Sequence, residues 1–167
     1  MGLDAFNELS RHKAVHALYE CCYSVALAGD LADARPYTGH DALFRHADAL
    51  LFSLPEAAID HILDAYPHVG RRPRSARSQA EQCALWDDDP AVMTRLAAAA
   101  TRYADQFGFG FVMYVGGSTA TEVLTAIDDR MHHDEETERK VVRNELARIN
   151  RTRLERMLGP EGGYQNW

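Results

Sequence analysis

The sequence predicts an all-α fold, a single-domain helical bundle with one short extended apolar segment. Over most of the 167 residues, apolar side chains recur at spacings of three and four, which is the period of an amphipathic helix. The exception is the run 109–115, which is flanked by glycines and rich in aromatic and β-branched residues, as extended segments are. Because one extended segment cannot form a sheet alone, we expect it to pack among the helices.

The first 65 residues carry helix, turn and capping signals. Residues 4–31 predict one or two helices, and the segment 35–39 predicts a turn. Ser53 and Glu56 are spaced as a capping box with Pro55 between them, which predicts a helix through about residue 65.

The best-defined helix is predicted over residues 90–107. Asp89 can cap its first turn, Pro90 suits its first position and Gly108 can end it. Its apolar stripe consists of Met93, Leu96, Ala100, Tyr103 and Phe107.

Two further helices are predicted in the last third of the chain. Thr119 and Glu122 form a capping-box signal for a helix near 119–132. A last helix, over about 135–158, has an acidic first turn, which the helix dipole favours. Its inward stripe consists of Val142, Leu146, Ile149, Arg153 and Met157.

The chain length suits one domain with a real core, which we place at 1–158, followed by a flexible glycine-rich tail at 159–167. No apolar run approaches the ~20 residues that cross a bilayer, and the start lacks the regions of a signal peptide. Three cysteines cannot all pair, so reduced thiols are expected. These features predict a cytoplasmic protein with no membrane contact.

The net charge of −7 argues against nucleic-acid binding, because that binding depends on phosphate neutralisation by Lys and Arg. One local exception is the segment 70–77, which contains Arg71, Arg72, Arg74 and Arg77 and no acidic residue. A solvated loop is the favoured interpretation of these arginines, since isolated surface charges contribute little.

Ser78, Glu81 and Gln82 share one face if their segment is helical. A hydroxyl, a carboxylate and an amide that project together can bind a ureido or imide group, and the carboxylate can also move a proton. The same spacing is that of a capping box, which is the simpler interpretation. The two roles are compatible, because a helix N-terminus also offers N–H groups to an anionic ligand.

Tyr66, Pro67 and His68 form the second group with chemical potential. A residue before proline is held extended, which would fix the direction of Tyr66 at the end of a helix. Its phenol can donate a proton but is a poor base near neutrality. His68 titrates in the useful range, although a lone loop histidine is usually only solvated.

Two other groups suggest chemistry but are better explained by structure. His132 and His133 precede a run of acids, yet adjacent histidines on a helix point about 100° apart and no further ligand completes a metal site. We therefore expect no metal. Cys83 follows Gln82, but no histidine is tied to it by sequence, so a buried core residue is favoured over a nucleophile.

Several motifs occur in the order found in one enzyme family. They are Tyr66-Pro67-His68, Ser78-x-x-Glu81-Gln82, Phe107-Gly108-Phe109 with Phe111-Val112, Arg35-Pro36-Tyr37, Phe6-Asn7 with Leu9, and Arg130-Met131 with Asp134 and Glu138. On these motifs, which cover roughly residues 5–158, the chain resembles the 2-oxo-4-hydroxy-4-carboxy-5-ureidoimidazoline (OHCU) decarboxylase family.

The resemblance implies an all-α, cofactor-free enzyme, commonly a homodimer, that acts on a small molecule in the conversion of urate to (S)-allantoin. It implies that two residues carry the proton chemistry, namely the residue at position 66, which is Tyr66 here, and Glu81. Substrate contacts are implied for Pro67, Ser78, Gln82, Phe111, Val112, Met113, Tyr114 and Val115.

Two positions depart from the family pattern. Tyr66 stands where the family has histidine, and Gly116 stands where it has an arginine that can grip a carboxylate in a bidentate manner. Their proximity in the sequence suggests the hypothesis that His68 is a substitute acid and that Arg71, Arg72 or Arg74 is a substitute cation, while a solvated loop stays the favoured interpretation of the arginines. The departures leave two alternatives: redirection of the pocket to another small-molecule substrate in secondary metabolism, or a non-catalytic binding protein on the same scaffold.

Overall fold

The computed structural model describes residues 1–69, 85 and 89–159. Within these residues the chain forms eight helices and no strand, which confirms the predicted all-α fold. The helices are α1 Leu3–Asn7, α2 Arg11–Cys22, α3 Val25–Asp33, α4 His40–Ser53, α5 Glu56–Ala65, α6 Pro90–Phe107, α7 Ala120–Arg130 and α8 Glu135–Leu158. Among the helices described, none is long and apolar enough to cross a membrane.

The chain divides into two compact units. The first contains Met1–Ala58 and Ala147–Trp167, and the second contains Ile59–Leu146, so α8 contributes to both. The proposed boundary between a domain at 1–158 and a tail at 159–167 stays a prediction, because only Gly159 of that tail belongs to the described residues.

In the first unit, hydrogen bonds join two of the family-like motifs, Phe6-Asn7 with Leu9 and Arg35-Pro36-Tyr37. The guanidinium of Arg35 donates hydrogen bonds to the carbonyls of Phe6 and Leu9 at 2.8 and 2.7 Å, and it lies over the Phe6 ring. The side chain of Asn7 donates to the Tyr37 carbonyl and accepts from the Tyr37 N–H, both at 2.9 Å. These motifs therefore have a structural role in the first unit, where they join α1 to the turn after α3.

The first 65 residues differ from the prediction in three places. Residues 4–31 contain three helices rather than one or two, because Tyr23 adopts a left-handed conformation (φ 53°) and Ser24 caps α3 through Leu27 N at 3.2 Å. Helix α4 was not predicted. Ser53 is the last residue of α4, and its hydroxyl donates to Leu50 O at 2.8 Å, so it does not precede α5 as a cap.

The helices of the second unit begin and end close to the predicted residues. Asp89 accepts a hydrogen bond from Ala91 N at 2.9 Å at the start of α6, and Gly108 ends that helix with φ 80°. The predicted capping box of α7 is formed by Thr119 and Glu122. The bounds of α6 and α8 agree with the predicted ranges.

Candidate active site

The second unit contains a cavity of about 410 Å³, which lies within the size range of small-molecule sites. Its described walls come from the end of α5 with residues 66–69, one face of α6, and the segment 108–111. The α6 face carries small side chains at Ala97, Ala100 and Ala104, which leave the space open. Residues with polar side chains among those that line the cavity include Tyr66, His68 and Thr101.

The structure brings together four of the residues that the sequence singled out. Tyr66, Pro67 and His68 line this cavity together with Phe111. Val112 is buried, whereas Met113, Tyr114 and Val115 are half-buried and are not among the described residues that line the cavity. The predicted residues Ser78, Glu81, Gln82, Arg71 and Arg72 lie outside the described residues.

Tyr66 and His68 differ in their surroundings. The Tyr66 N–H donates to Leu63 O at 3.1 Å, which ties the residue to the last turn of α5, and its hydroxyl oxygen is buried. The His68 side chain is exposed at the cavity. A phenol in a partly desolvated position can act as a hydrogen-bond or proton donor, whereas an exposed imidazole is less constrained in direction.

An aromatic cluster forms the apolar wall of the site. The Tyr103 ring, which is fully buried, lies 4.8 Å from Phe107, 6.0 Å from Phe109 and 5.1 Å from Phe111 between centroids. The contacts with Phe109 and Phe111 are edge-to-face, the preferred geometry for aromatic pairs. Tyr103 on α6 therefore packs against the rings of Phe109 and Phe111, two residues that line the cavity.

A buried ion pair supports the same wall. Arg130, at the end of α7, contacts Glu138 of α8 through Nε at 2.7 Å and Nη2 at 2.5 Å, and both side chains are nearly inaccessible. Arg130 also donates from Nη1 to the Val112 carbonyl at 2.7 Å, and its guanidinium lies 4.4 Å from the Phe111 ring centroid. The pair therefore binds directly to the segment that lines the cavity.

The Glu138 carboxylate accepts further contacts. The Tyr103 hydroxyl donates to Oε1, and His133 Nδ1 lies 2.9 Å from Oε2. Burial, together with the hydrogen bond to Glu138, raises the pKa of Tyr103 far above its usual range. Tyr103 therefore stays protonated and serves as a donor to the carboxylate.

The resemblance pointed to Arg130 and Glu138 as motif residues, and the helix-dipole argument treated Glu138 as one of the acidic residues in the first turn of the last helix. The buried pair of Glu138 with Arg130 was not predicted. A signal was available, because each is a charged residue on the buried stripe of its helix: Arg130 follows Ile127 by three, and Glu138 precedes Val142 by four. A charge in such a position requires a buried partner.

The two adjacent histidines contact other protein groups within the described residues. His133 contacts Glu138, and His132 Nδ1 lies 2.8 Å from the Asp128 carbonyl. Among the described residues, no group of three or more His, Cys, Asp or Glu side chains is arranged to hold a metal ion.

Comparison with known proteins decides the family. The model of the OHCU decarboxylase family matches residues 7–155. The chain belongs to the OHCU decarboxylase family. The family predicted from the sequence motifs is thereby confirmed.

The chain spans most of the length of two relatives and about a third of another. A 2-oxo-4-hydroxy-4-carboxy-5-ureidoimidazoline decarboxylase of Halalkalicoccus jeotgali is 28% identical over 155 residues, covering 84% of this chain and 88% of the relative. The mouse enzyme of the same name is 28% identical over 149 residues, covering 85% and 83%. A uric acid degradation bifunctional protein of a Bacillus species is 27% identical over 166 residues, and there the chain spans 95% of itself but about a third (32%) of the relative.

Two solved structures share the fold. A crystal structure of OHCU decarboxylase in the presence of (S)-allantoin matches with a TM-score of 0.75 at 21% identity, covering 84% of this chain and 95% of the other. A crystal structure of (S)-allantoin synthase matches with a TM-score of 0.76 at 18% identity, covering 95% and 54%. At such identities the likeness shows the fold.

Proposed function

We propose that this chain is a cofactor-free carboxy-lyase of purine catabolism. Its substrate is a small cyclic ureide carboxylate, OHCU, and its product is (S)-allantoin. Family membership and the relatives named OHCU decarboxylase support the reaction class. The observation that carries the proposal is the cavity in which Tyr66, Pro67 and Phe111 meet, because the family resemblance assigns catalysis and substrate contact to these three positions.

The chemistry involves two neighbouring ring carbons. The bond between C4 and its carboxylate breaks, carbon dioxide leaves, and the electron pair is delocalised over C4, C5 and the adjoining ring nitrogen, which takes up a proton. A proton is then delivered to one face of C5, which carries the ureido group, while the hydroxyl on C4 loses its proton and becomes the carbonyl of allantoin. We assign this proton to the Tyr66 phenol, and Glu81, after taking up a proton from solvent, reprotonates the phenolate that remains. The apolar wall at Phe111 helps to desolvate the departing carboxylate.

The carboxylate also needs a cation before it leaves. Gly116 stands at the family's arginine position, so this residue supplies none. We propose that Arg71 or Arg72 takes that role, which is motivated by their place in the sequence, three and four residues after His68. His68, exposed at the cavity, is the second candidate acid.

The test uses freshly generated OHCU and follows (S)-allantoin by circular dichroism against the racemic product of the spontaneous reaction. We expect enantioselective turnover by the natural chain and a loss of about 10²- to 10⁴-fold in kcat for Tyr66→Phe, the range of general acid catalysis. Tyr66→His should retain turnover, and His68→Ala should change kcat little. Equal kcat in Tyr66→Phe and the natural chain would show that Tyr66 is not the acid.

A redirected substrate is the second candidate, favoured by the combined loss of the family's histidine and arginine at Tyr66 and Gly116. In that case the natural chain would not accelerate the reaction and Tyr66→His would restore some turnover. A non-catalytic binding protein would gain no activity from that substitution.

Two further expectations stay proposals. We propose a homodimer, which the family resemblance implies and which sedimentation velocity would test. We also propose a cytoplasmic location, which fractionation would test. The buried free thiols of Cys21 and Cys22 are compatible with a reducing compartment, and burial raises the pKa of Cys22 to about 12, so that thiol is no nucleophile.

A further inference from the structure

Arg139, near the start of α8, links two parts of the cavity wall in the second unit. Its Nη1 donates to Oδ1 of Asp60 on α5, and its Nη2 lies 3.5 Å from Oδ2 of the same carboxylate. The guanidinium carbon also lies 4.2 Å from the centroid of the Phe109 ring. A planar guanidinium can bind a carboxylate with its edge while it stacks on an aromatic ring with its face. One side chain therefore joins α5 to the segment 108–111.

The two linked elements carry different parts of the site. Helix α5 ends at Ala65 and is followed directly by Tyr66, whose N–H is bonded to Leu63 O at 3.1 Å. Asp60 lies six residues before Tyr66 on this short helix, so a displacement of α5 carries the phenol with it. Phe109 lines the cavity, is only 5% exposed and packs against other rings of the apolar wall. The contacts of Arg139 therefore act on the separation between the phenol and that wall.

We propose that Arg139 and Asp60 are positioning residues that hold the end of α5, and with it the Tyr66 phenol, at a fixed distance from the apolar wall, and thereby select the face of C5 that receives the proton. This inference rests on the proposed function for the identity of the substrate and of the acid. A displacement of about 1 Å is enough to lower the rate of an otherwise intact site. A displaced donor also discriminates less between the two faces of C5, so the enantiomeric excess of the allantoin reports on its position.

The exposure of the pair separates positioning from stability. The Asp60 side chain is 42% exposed, although that of Arg139 is only 17% exposed. An ion pair with a solvated partner contributes little to the free energy of unfolding, so its loss should leave the chain folded. Glu135 lies 3.7 Å from Nε of Arg139 and is largely exposed, so it leaves this expectation unchanged.

Three variants test the link. Arg139→Lys keeps the positive charge, but one ammonium cannot form the forked contact with Asp60 and stack on Phe109 at the same time. Asp60→Asn keeps the shape of the side chain and removes its charge. Lys140→Met is the matched control, because this neighbouring residue on α8 pairs only with the exposed Glu136 among the contacts described, at 2.8 Å.

Steady-state kinetics with OHCU and chiral chromatography of the allantoin give the readouts. Enzyme concentrations are adjusted so that all variants turn over at the same total rate, which makes the racemic spontaneous contribution equal. We expect Arg139→Lys to lower kcat about 10- to 100-fold and to lower the enantiomeric excess. Asp60→Asn should act in the same direction, and the double variant should resemble Arg139→Lys because both substitutions break one contact. Lys140→Met should change neither readout.

A lower kcat with an unchanged enantiomeric excess would overturn the positioning role, and so would independent, additive effects of the two substitutions. Hydrogen exchange tests the link without turnover, because Arg139→Lys should accelerate exchange in residues 64–69 and 108–111 together, and unchanged exchange would also overturn it. Failure of the proposed function has a separate signature, namely no acceleration of OHCU decarboxylation by the natural chain. In that event the exchange result alone decides whether Arg139 ties the end of α5 to the wall.

Discussion

Loss of the negative charge at Glu138 should cost more stability than any other isosteric change at the candidate site. The Glu138 side chain is fully buried, and that of Arg130 is only 9% exposed. In Glu138→Gln the amide nitrogen would face donors of Arg130, of Tyr103 or of His133, depending on its orientation. The variant therefore loses charge-assisted hydrogen bonds and leaves a buried guanidinium without its counter-ion.

The magnitude follows from the cost of breaking a buried pair. Removal of one partner typically destabilises a protein by about 3–5 kcal/mol. Each hydrogen bond to a charged group contributes about 1.5–3 kcal/mol, so the loss of two such bonds gives the same range. Because a domain of this size has a free energy of unfolding of about 5–15 kcal/mol, the variant should lose about a fifth or more of it.

Urea denaturation followed by far-ultraviolet circular dichroism measures the difference, with Glu136→Gln on the exposed face of α8 as control. Replacement of both partners, as in Arg130→Met with Glu138→Leu, should recover much of the loss, since buried pairs are often replaceable by apolar residues of similar size. A loss below about 1 kcal/mol for Glu138→Gln would refute the reasoning, because that value is typical of a solvated pair.

Two further predictions concern helix starts. Thr119→Ala removes the capping box of α7 and should lower the free energy of unfolding by about 1 kcal/mol in urea denaturation, while Thr119→Ser should retain it; an equal loss in both would contradict the capping role. Asp134 accepts from Thr137 N at 2.7 Å, and this bond lowers the pKa of the Asp134 carboxyl from 3.8. The stabilisation is therefore complete above the unfolded-state pKa and is lost as the pH falls through the lower folded-state pKa. Acid titration of thermal stability should show a smaller decrease in Asp134→Asn, and equal decreases would contradict the assignment.

Local signals predicted the helices of the second unit, because α6 and α7 carry their caps within the first turn and their apolar stripes are regular. The first unit was harder to predict. The break between α2 and α3 depends on Tyr23, a residue whose type gives no sign of a left-handed conformation. Helix α4 had an interpretable stripe, formed by Leu43, Phe44, Ala47 and Leu51, which the sequence reasoning overlooked.

The site was predictable as a set of positions but not as an arrangement. The motif that contains Tyr66 and the segment that contains Phe111 are 45 positions apart in the chain, and only the resemblance to a known family placed them in one pocket. The contact between Tyr114 and Glu145 spans 31 positions and has no sequence pattern, since it joins a backbone N–H to a side chain. Contacts of this kind become visible only when the fold brings the elements together.

The resemblance implies two departures from the family pattern, at Tyr66 and Gly116, and the backbone at these two positions accepts a reversal differently. Tyr66 precedes a proline, where the extended backbone accepts any L-residue, so a histidine can return there without backbone strain. Gly116 has φ 53°, which favours glycine, and a Cβ atom at this residue would lie 3.2 Å from the Tyr114 ring. An arginine at 116 would require a different turn after residues 111–115, and this segment is held at Val112 and Tyr114 by hydrogen bonds from Arg130 and to Glu145. An arginine at position 116 would therefore strain the backbone of this chain, whereas a histidine at position 66 is a change of side chain alone. For this reason Tyr66→His isolates the proton chemistry, and a cation for the substrate has to come from elsewhere in the sequence.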